Sequence, residues 1–155
     1  MAVFDKISRR ILEILQRDGR ITNSELATRV GIPATSMSDR LRRLQREGVI
    51  LSYGARLDPQ KLGLEMLVFI QIKLDKTTPQ VFEKFKKAVQ TTPEVIECHM
   101  VAGGLDYLVK TRFHAMEEYR RFLGDVIMSW PGVIETRTYV VMEELKNDGP
   151  LKIAG

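Results

Sequence analysis

A chain of 155 residues with 44% hydrophobic and 28% charged residues can bury a core and has the composition of an ordinary globular protein. Its longest apolar run, Met66–Ile70, is far shorter than the roughly 20 residues that span a membrane. A single cysteine, Cys98, excludes an internal disulfide and fits a reducing cytoplasm. Charged residues stand where a signal peptide needs an apolar core, so export is not expected: Asp5, Lys6, Arg9 and Arg10.

The positive net charge is concentrated in the first part of the chain. Residues 1–60 contain 11 Lys or Arg against 7 Asp or Glu, a balance of +4, whereas residues 61–155 contain 13 of each. This distribution is typical of a polyanion-binding module joined to a neutral one.

Three short helices are predicted at the N-terminal end. Asp5 is suited to cap the first helix, which ends at Asp18-Gly19. Thr22 and Glu25 form a capping-box pattern at the start of the second, over 22–30. Gly31 is suited to the left-handed backbone conformation that ends this helix. Pro33 is suited to the first turn of the third helix, over 33–47. The pattern predicts a helix-turn-helix.

The predicted third helix has an apolar face and a polar face. The apolar residues recur at helical spacing and point inward: Ala34, Met37, Leu41 and Leu44. The opposite face and its flanks form what we call the polar face: Thr35, Ser36, Ser38, Asp39, Arg40, Arg42, Arg43 and Arg46. Because arginines bind phosphates and guanine, and the N-terminal end of such a helix enters the major groove, we interpret this face as DNA-binding. Two roles remain possible for Asp39. Its carboxylate either accepts a hydrogen bond from the amino group of a cytosine or forms an ion pair with Arg42 or Arg43.

The second half changes to the period of strands. Val49–Leu57 is strand-like, and residues 58–64 form a predicted linker. The remaining predicted elements are a strand over 65–75, a helix over 78–90, strands over 95–101 and 107–112, a helix over 116–129 and a strand over 133–143. This order is that of a ferredoxin-like βαββαβ domain, here over residues 65–146, and a loosely held tail follows over 147–155. The sequence therefore predicts an α+β protein.

In a ferredoxin-like domain both helices cover one face of the sheet. Four side chains make the other face apolar enough to need a partner: Leu67, Phe69, Tyr139 and Val141. A homodimer that packs sheet on sheet is the simplest solution, and it would present two third helices to two half-sites of double-stranded DNA.

Gly103-Gly104-Leu105-Asp106-Tyr107 allows two interpretations. The stretch is typical of a glycine hairpin turn. Alternatively, exposed backbone N–H groups and Asp106 hold the carboxylate and ammonium of a small zwitterion. No metal site is predicted, since His99 and His114 lack neighbouring ligands at metal-binding spacing. No phosphate loop or nucleophile elbow indicates an enzyme.

With these stretches in view, the chain resembles the leucine-responsive/asparagine-regulator (Lrp/AsnC) family of prokaryotic transcriptional regulators from end to end. The matching stretches are Ile11-Leu12, Asp18-Gly19-Arg20, Glu25-Leu26-Ala27, Val30-Gly31, Arg40-Leu41-Arg42-Arg43-Leu44, Gly48-Val49-Ile50, Leu62-Gly63, Gly103-x-x-Asp106-Tyr107, Pro131-Gly132-Val133 and Thr136-Arg137-Thr138-Tyr139-Val140-Val141. Two positions depart from the common pattern, Ser8 and Ser52, and the second alters a wing-like turn.

The resemblance implies a winged-type helix-turn-helix domain over residues 1–57, including its wing strand, and a C-terminal domain that senses amino acids. It implies dimers that associate into octamers, no cofactor, and an amino-acid effector bound between dimers. It also implies a cytoplasmic, nucleoid-associated regulator of amino-acid metabolism genes. The effector-site residues implied are His99, Val101, Ala102, Gly103, Asp106, Tyr107, Thr136 and Thr138.

Three alternatives are less well supported by the residues. An RNA-recognition domain shares the strand order, but Tyr107–Arg112 lacks its basic-aromatic motif and this half of the chain is neutral. A small ferredoxin-like enzyme would need a base or nucleophile in a loop. A ligand sensor without DNA binding would leave the arginines of the third helix unexplained.

Overall fold

A computed structural model of the chain describes residues 4–76 and 78–154. The described residues group into two compact units. We call them the helical unit, residues 4–56 and 146–154, and the sheet unit, residues 57–76 and 78–145. The predicted linker, 58–64, thus groups with the sheet unit, and residues 146–154, which we call the C-terminal segment, group with the helical unit.

The helical unit contains α1 (Lys6–Leu15), α2 (Asn23–Val30) and α3 (Ala34–Arg46). Their inward side chains form one buried cluster: Ile11, Leu12, Ile14, Leu26, Ala27, Met37, Leu41 and Leu44. The predicted apolar face of α3 is confirmed for its three larger residues, but Ala34 is exposed because it is the first residue of the helix.

Residues 49–57 differ from the sequence prediction. All of them are described, and they form no strand. Leu51 and Leu57 are 90% and 71% exposed. Since a strand needs a hydrogen-bonding neighbour, a strand-like pattern alone does not produce one here.

The sheet unit has the predicted strand–helix–strand–strand–helix–strand order. Its elements are β1 (Met66–Leu74), α4 (Pro79–Gln90), β2 (Val95–Met100), β3 (Tyr107–Phe113), α5 (Met116–Arg121) and β4 (Val133–Val140). The predicted helix over 116–129 is α-helical only to Arg121, since a π-helical turn (Phe122–Val126) and a 3₁₀ turn (Ile127–Ser129) follow. Gly124 lies in the π-helical turn, where a residue without a side chain weakens a regular helix.

The four strands described form one antiparallel sheet in the order β2-β3-β1-β4. Both βαβ halves therefore interleave, which confirms the ferredoxin-like arrangement. Alternate β1 residues, among them Val68, Ile70 and Ile72, pack beneath the helices against Phe85 and Tyr119. The opposite side of the sheet, which we call the open face, carries Leu67 and Phe69 as predicted from the alternation in β1.

Within the described ranges, no helix is long and apolar enough to cross a membrane.

Gly132 makes the tight entry into β4. It has φ 81°, and its carbonyl accepts a 2.8 Å hydrogen bond from the backbone N–H of Asp75. A Cβ at this position would lie 2.7 Å from Cγ1 of Val81 and 3.1 Å from Oδ1 of Asp75. The position therefore requires glycine for both backbone conformation and space.

We predict that Gly132→Ala lowers the free energy of unfolding by about 1–3 kcal/mol, because it adds left-handed strain and a steric clash. Gly124→Ala is the control, since a Cβ there meets no atom within 4 Å. Urea unfolding of the full chain measures both. Equal stability of the two variants would contradict the requirement for glycine at position 132.

Candidate DNA-binding surface and effector loop

Local backbone chemistry fixes the turn between α2 and α3. The Thr22 hydroxyl caps α2 by accepting from the Glu25 backbone N–H at 3.2 Å. Gly31 ends the helix in the left-handed conformation, with φ 78°. Pro33 then forms the N-cap of α3 without a side-chain hydrogen bond, one residue before the predicted position. These local features orient α3 against α2.

The polar face of α3 is not uniform in the structure. Burial of Met37, Leu41 and Leu44 turns most of the polar face toward solvent. Two of its eight members are half-buried instead, Ser38 and Arg40. The Ser38 hydroxyl donates to the Ala34 carbonyl at 3.1 Å. The exposed members are Thr35, Ser36, Asp39, Arg42, Arg43 and Arg46.

Arg40 is turned toward α1. Its guanidinium donates to Oδ2 of Asp5 at 2.8 Å and to the Ser8 hydroxyl at 3.2 Å. Asp5 also caps α1 by accepting from the Ser8 backbone N–H at 2.6 Å. The backbone hydrogen bond first, and then Arg40, lower the pKa of Asp5 to about 2. Arg40 therefore braces α3 against the start of α1.

The remaining arginines of α3 are available to a ligand. Arg42 lies 3.3 Å from Asp39, the pairing that the sequence left open, and both side chains are 77% exposed. Arg43 lies 3.7 Å from Glu47. Such exposed pairs contribute little and exchange readily for a phosphate. Among the described residues, Arg46 has no carboxylate within 4 Å.

The glycine-rich loop is bound to the end of β1 through Asp106. The Asp106 backbone N–H donates to the Ile72 carbonyl at 3.0 Å, and Oδ2 of Asp106 accepts from the Leu74 backbone N–H at 2.8 Å. The Asp106 carbonyl also accepts from the Val101 backbone N–H at 3.0 Å. These bonds leave residues 101–104 exposed, among them Val101, Ala102 and Gly103.

Tyr107 is a core residue in the structure. The residue is 8% exposed, and its ring stacks on Phe85 at 4.3 Å between centroids and meets Phe82 edge-on at 6.3 Å. Burial raises the pKa of its phenol, with smaller contributions from nearby anionic groups. The side chain thus packs behind the loop.

His99 lies at the opposite edge of the sheet from β4 and points to the open face. Its Nε2 lies 3.2 Å from Glu97, which also accepts a 2.8 Å bond from Lys110. These two contacts, Lys110 first, lower the pKa of Glu97. The neighbouring Cys98 points the other way, and burial raises the pKa of its thiol to about 11, so the thiol stays protonated at neutral pH.

Thr136 and Thr138 lie on β4, on the side of the sheet that the helices cover. Thr136 of β4 pairs with Ile72 on one side of β1. On the other side of β1, the Asp106 backbone N–H donates to the carbonyl of the same Ile72. The Thr138 hydroxyl bonds to that of Tyr119, a contact that no local pattern in the chain predicts. One chain therefore places Asp106 and Thr136 on either side of Ile72, while His99 stands apart.

The four residues predicted for a dimer interface share the open face. Phe69 pairs directly with Tyr139, and the Val141 backbone N–H donates to the Leu67 carbonyl at 2.9 Å. Tyr139 is 50% exposed, and its hydroxyl donates to Gln71 at 3.2 Å.

Comparison with known proteins accounts for both units. A winged helix-turn-helix DNA-binding family model matches residues 4–50, and an Lrp/AsnC ligand-binding domain model matches residues 67–151. The leucine-responsive regulatory proteins of Escherichia coli K12 and Klebsiella pneumoniae are each 50% identical over 149 residues, which cover 96% of this chain and 91% of each relative. The chain belongs to the Lrp/AsnC family.

Solved structures of transcriptional regulators share the fold. A Neisseria meningitidis transcriptional regulator in complex with L-Met has a TM-score of 0.90 and 31% identity, with 97% of both chains covered. An AsnC family regulator from Agrobacterium tumefaciens has a TM-score of 0.90 and 28% identity, with 96% of this chain and 97% of that chain covered. The protein is thus a DNA-binding transcriptional regulator with an effector-binding domain, and not an enzyme.

We predict that Asp5→Ala lowers the free energy of unfolding by about 1 kcal/mol at pH 7, because α1 loses its cap. Since the folded-state pKa is depressed, this stability is present above the ordinary pKa near 4 and is lost as pH falls toward 2. The difference between parent and variant should therefore vanish over that interval.

Glu13→Ala is the control for this measurement, because it removes only an exposed ion pair with Arg10. Urea titrations at several pH values measure both variants. A parent–variant difference that does not depend on pH between 4 and 2 would contradict the role of Asp5.

Proposed function

We propose that this Lrp/AsnC regulator binds specific double-stranded DNA sequences through the polar face of α3, and that a small amino acid modulates this binding or the assembly of the protein. We further propose that it controls amino-acid metabolism genes and acts in the cytoplasm on the nucleoid, where its DNA lies. The observation that carries the proposal is the solvent-facing group of Arg42, Arg43 and Arg46 above a buried apolar stripe.

In this proposal the two ends of the polar face of α3 contact different parts of the DNA. Thr35, Ser36 and Asp39 lie toward the N-terminal end of α3, which enters the major groove in helix-turn-helix proteins. Arg42, Arg43 and Arg46 lie toward its C-terminal end, where they can reach phosphates and flanking guanines. Arg40 contributes by holding α3 in place through Asp5.

We predict that Arg43→Ala weakens DNA binding about tenfold and lowers the slope of log affinity against log salt by about 1 per lost phosphate contact. Arg120→Ala is the matched control, since it removes the same charge from an exposed position on α5. Fluorescence anisotropy with DNA selected by the parent protein measures both. An unchanged affinity and slope for Arg43→Ala would refute the assignment of this face.

The effector site is proposed at the glycine loop. The exposed backbone of residues 102–104 supports anchoring of a carboxylate, and Asp106 has a second oxygen, Oδ1, for an ammonium group. Thr136 and Thr138 on β4 and His99 complete the proposed residue set, and Tyr107 supports the loop from the core. Because His99 and the threonines lie at opposite sheet edges, we propose that the site is completed by a second copy of the chain.

Two amino acids are the first candidates for the effector. The 50% identical relatives are named leucine-responsive, and the similar Neisseria structure contains L-Met. A thermal-shift screen of the twenty amino acids would identify the effector, because a ligand that binds the folded state raises its melting temperature.

We predict that Asp106→Asn abolishes the thermal shift caused by the effector. Asparagine keeps an oxygen for the Leu74 N–H but removes the charge that pairs with an ammonium group. The control is Asp125→Asn, because Asp125 is exposed and lies outside the glycine loop. This variant should respond like the parent. A normal response of Asp106→Asn would place the effector elsewhere.

The open face supports self-association. Phe69, Tyr139 and Val141 form an apolar strip that a two-fold axis would make complementary to itself, whereas Leu67 is only 4% exposed and adds little accessible surface. We propose a homodimer through this strip and the association of dimers into octamers. A dimer would hold two copies of α3 for two half-sites about 34 Å apart.

A further inference from the structure

The end of β4 is fixed inside the sheet unit by Arg112. The guanidinium of Arg112 pairs with the Glu144 carboxylate and donates to the Leu64 carbonyl at 3.3 Å. The two charged side chains are only 9% and 29% exposed, so solvent screens the pair weakly. The chain thus leaves the sheet unit from an anchored position.

Arg56 has a corresponding role in the helical unit. It donates to the Asn147 carbonyl at 3.1 Å and lies 3.3 Å from the Asp148 carboxylate. The chain leaves the helical unit after Arg56 and returns at Lys146. Arg56 therefore joins the outgoing and the returning connection.

The C-terminal segment then attaches to α1 and to the core. The Gln16 side-chain amide donates to the Leu151 carbonyl at 3.2 Å, and its oxygen accepts from the Leu151 N–H at 2.6 Å. Ile153 is half-buried against the cluster that also seats Met37 and Leu41 of α3. The segment thus contributes directly to the core that positions α3.

The attachment is made at separate points. A groove of about 540 Å³ remains between residues 148–151, the end of α1 and residues 49–53. Its lining includes Leu12, Leu15 and Tyr53. Since residues 148–151 border this groove and do not fill it, this part of the segment can shift when its anchors change.

We propose that the C-terminal segment couples the sheet unit to the core that seats α3. Glu144 anchors the chain just before the segment through Arg112, and Arg56 contacts residues 147 and 148 of the segment. Ile153, near the end of the segment, packs against the core. A shift of β4, for instance when an effector binds beside Thr136, would act on the core under α3 through the chain itself. The proposal rests on the proposed function in assigning α3 to DNA and an effector to the vicinity of Thr136.

Glu144→Ala against Glu143→Ala tests the coupling across the units. The two changes remove the same charge at adjacent positions. Glu144 pairs with Arg112, whereas Glu143 has no ion-pair partner among the described residues. In the full chain, Glu144→Ala should raise amide hydrogen exchange of α1 and α3 peptides about threefold, and Glu143→Ala should leave it unchanged. Equal exchange in both variants would overturn the coupling.

Ile153→Ala against Leu151→Ala tests the attachment to the core. Both changes truncate an apolar side chain of the segment, but Leu151 is 80% exposed and uses only its backbone. Ile153→Ala should raise exchange in α1 and α3 about tenfold, leave β1–β4 unchanged and weaken DNA binding about fivefold. Unchanged exchange in α1 and α3 would overturn the proposal.

The exchange readout needs no DNA, so it separates this proposal from the proposed function. If the parent does not bind DNA, the function fails while the exchange results still decide the coupling. If Ile153→Ala does not fold, Arg56→Gln replaces it, because that change removes only exposed contacts. It should raise exchange at residues 146–154, and parental exchange there would overturn the role of Arg56.

Discussion

The burial of one apolar stripe of α3 is the constraint on which the rest depends. Among the described residues, Met37, Leu41 and Leu44 fit a cluster of eight buried residues, which is small enough that each contact matters to its stability. Their burial turns Arg42, Arg43 and Arg46 outward. The caps, the Arg40–Asp5 contact and the C-terminal segment all brace this small core. The position of the polar face is therefore a property of the whole helical unit.

The sheet unit meets a different constraint. Its helices cover one face, and the register of β1 with β3 and β4 leaves Leu67 and Phe69 on the other. The same register brings Asp106 and Thr136 to either side of Ile72. One sheet thus carries the proposed self-association surface on its open face and the proposed effector loop at one end. Both surfaces in the proposal need a second chain.

Features set by neighbouring residues could be predicted from the sequence. The Thr22 cap, the left-handed Gly31 and the alternation of β1 were predicted because three to five adjacent residues determine them. The direction of Arg40 could not, since its partner Asp5 lies 35 positions earlier. The place of the C-terminal segment depends on Gln16, 135 positions away. The predicted strand over 49–57 failed because pattern alone supplies no pairing partner.

The central claim is that the polar face of α3 is the surface that contacts DNA. Amide hydrogen exchange of the full chain, with and without a DNA fragment selected by the protein, tests it most directly. The account predicts that DNA slows exchange in peptides covering Ala34–Arg46 and leaves those covering α4 and α5 unchanged. Protection confined to the sheet unit, with Ala34–Arg46 unaffected, would contradict it.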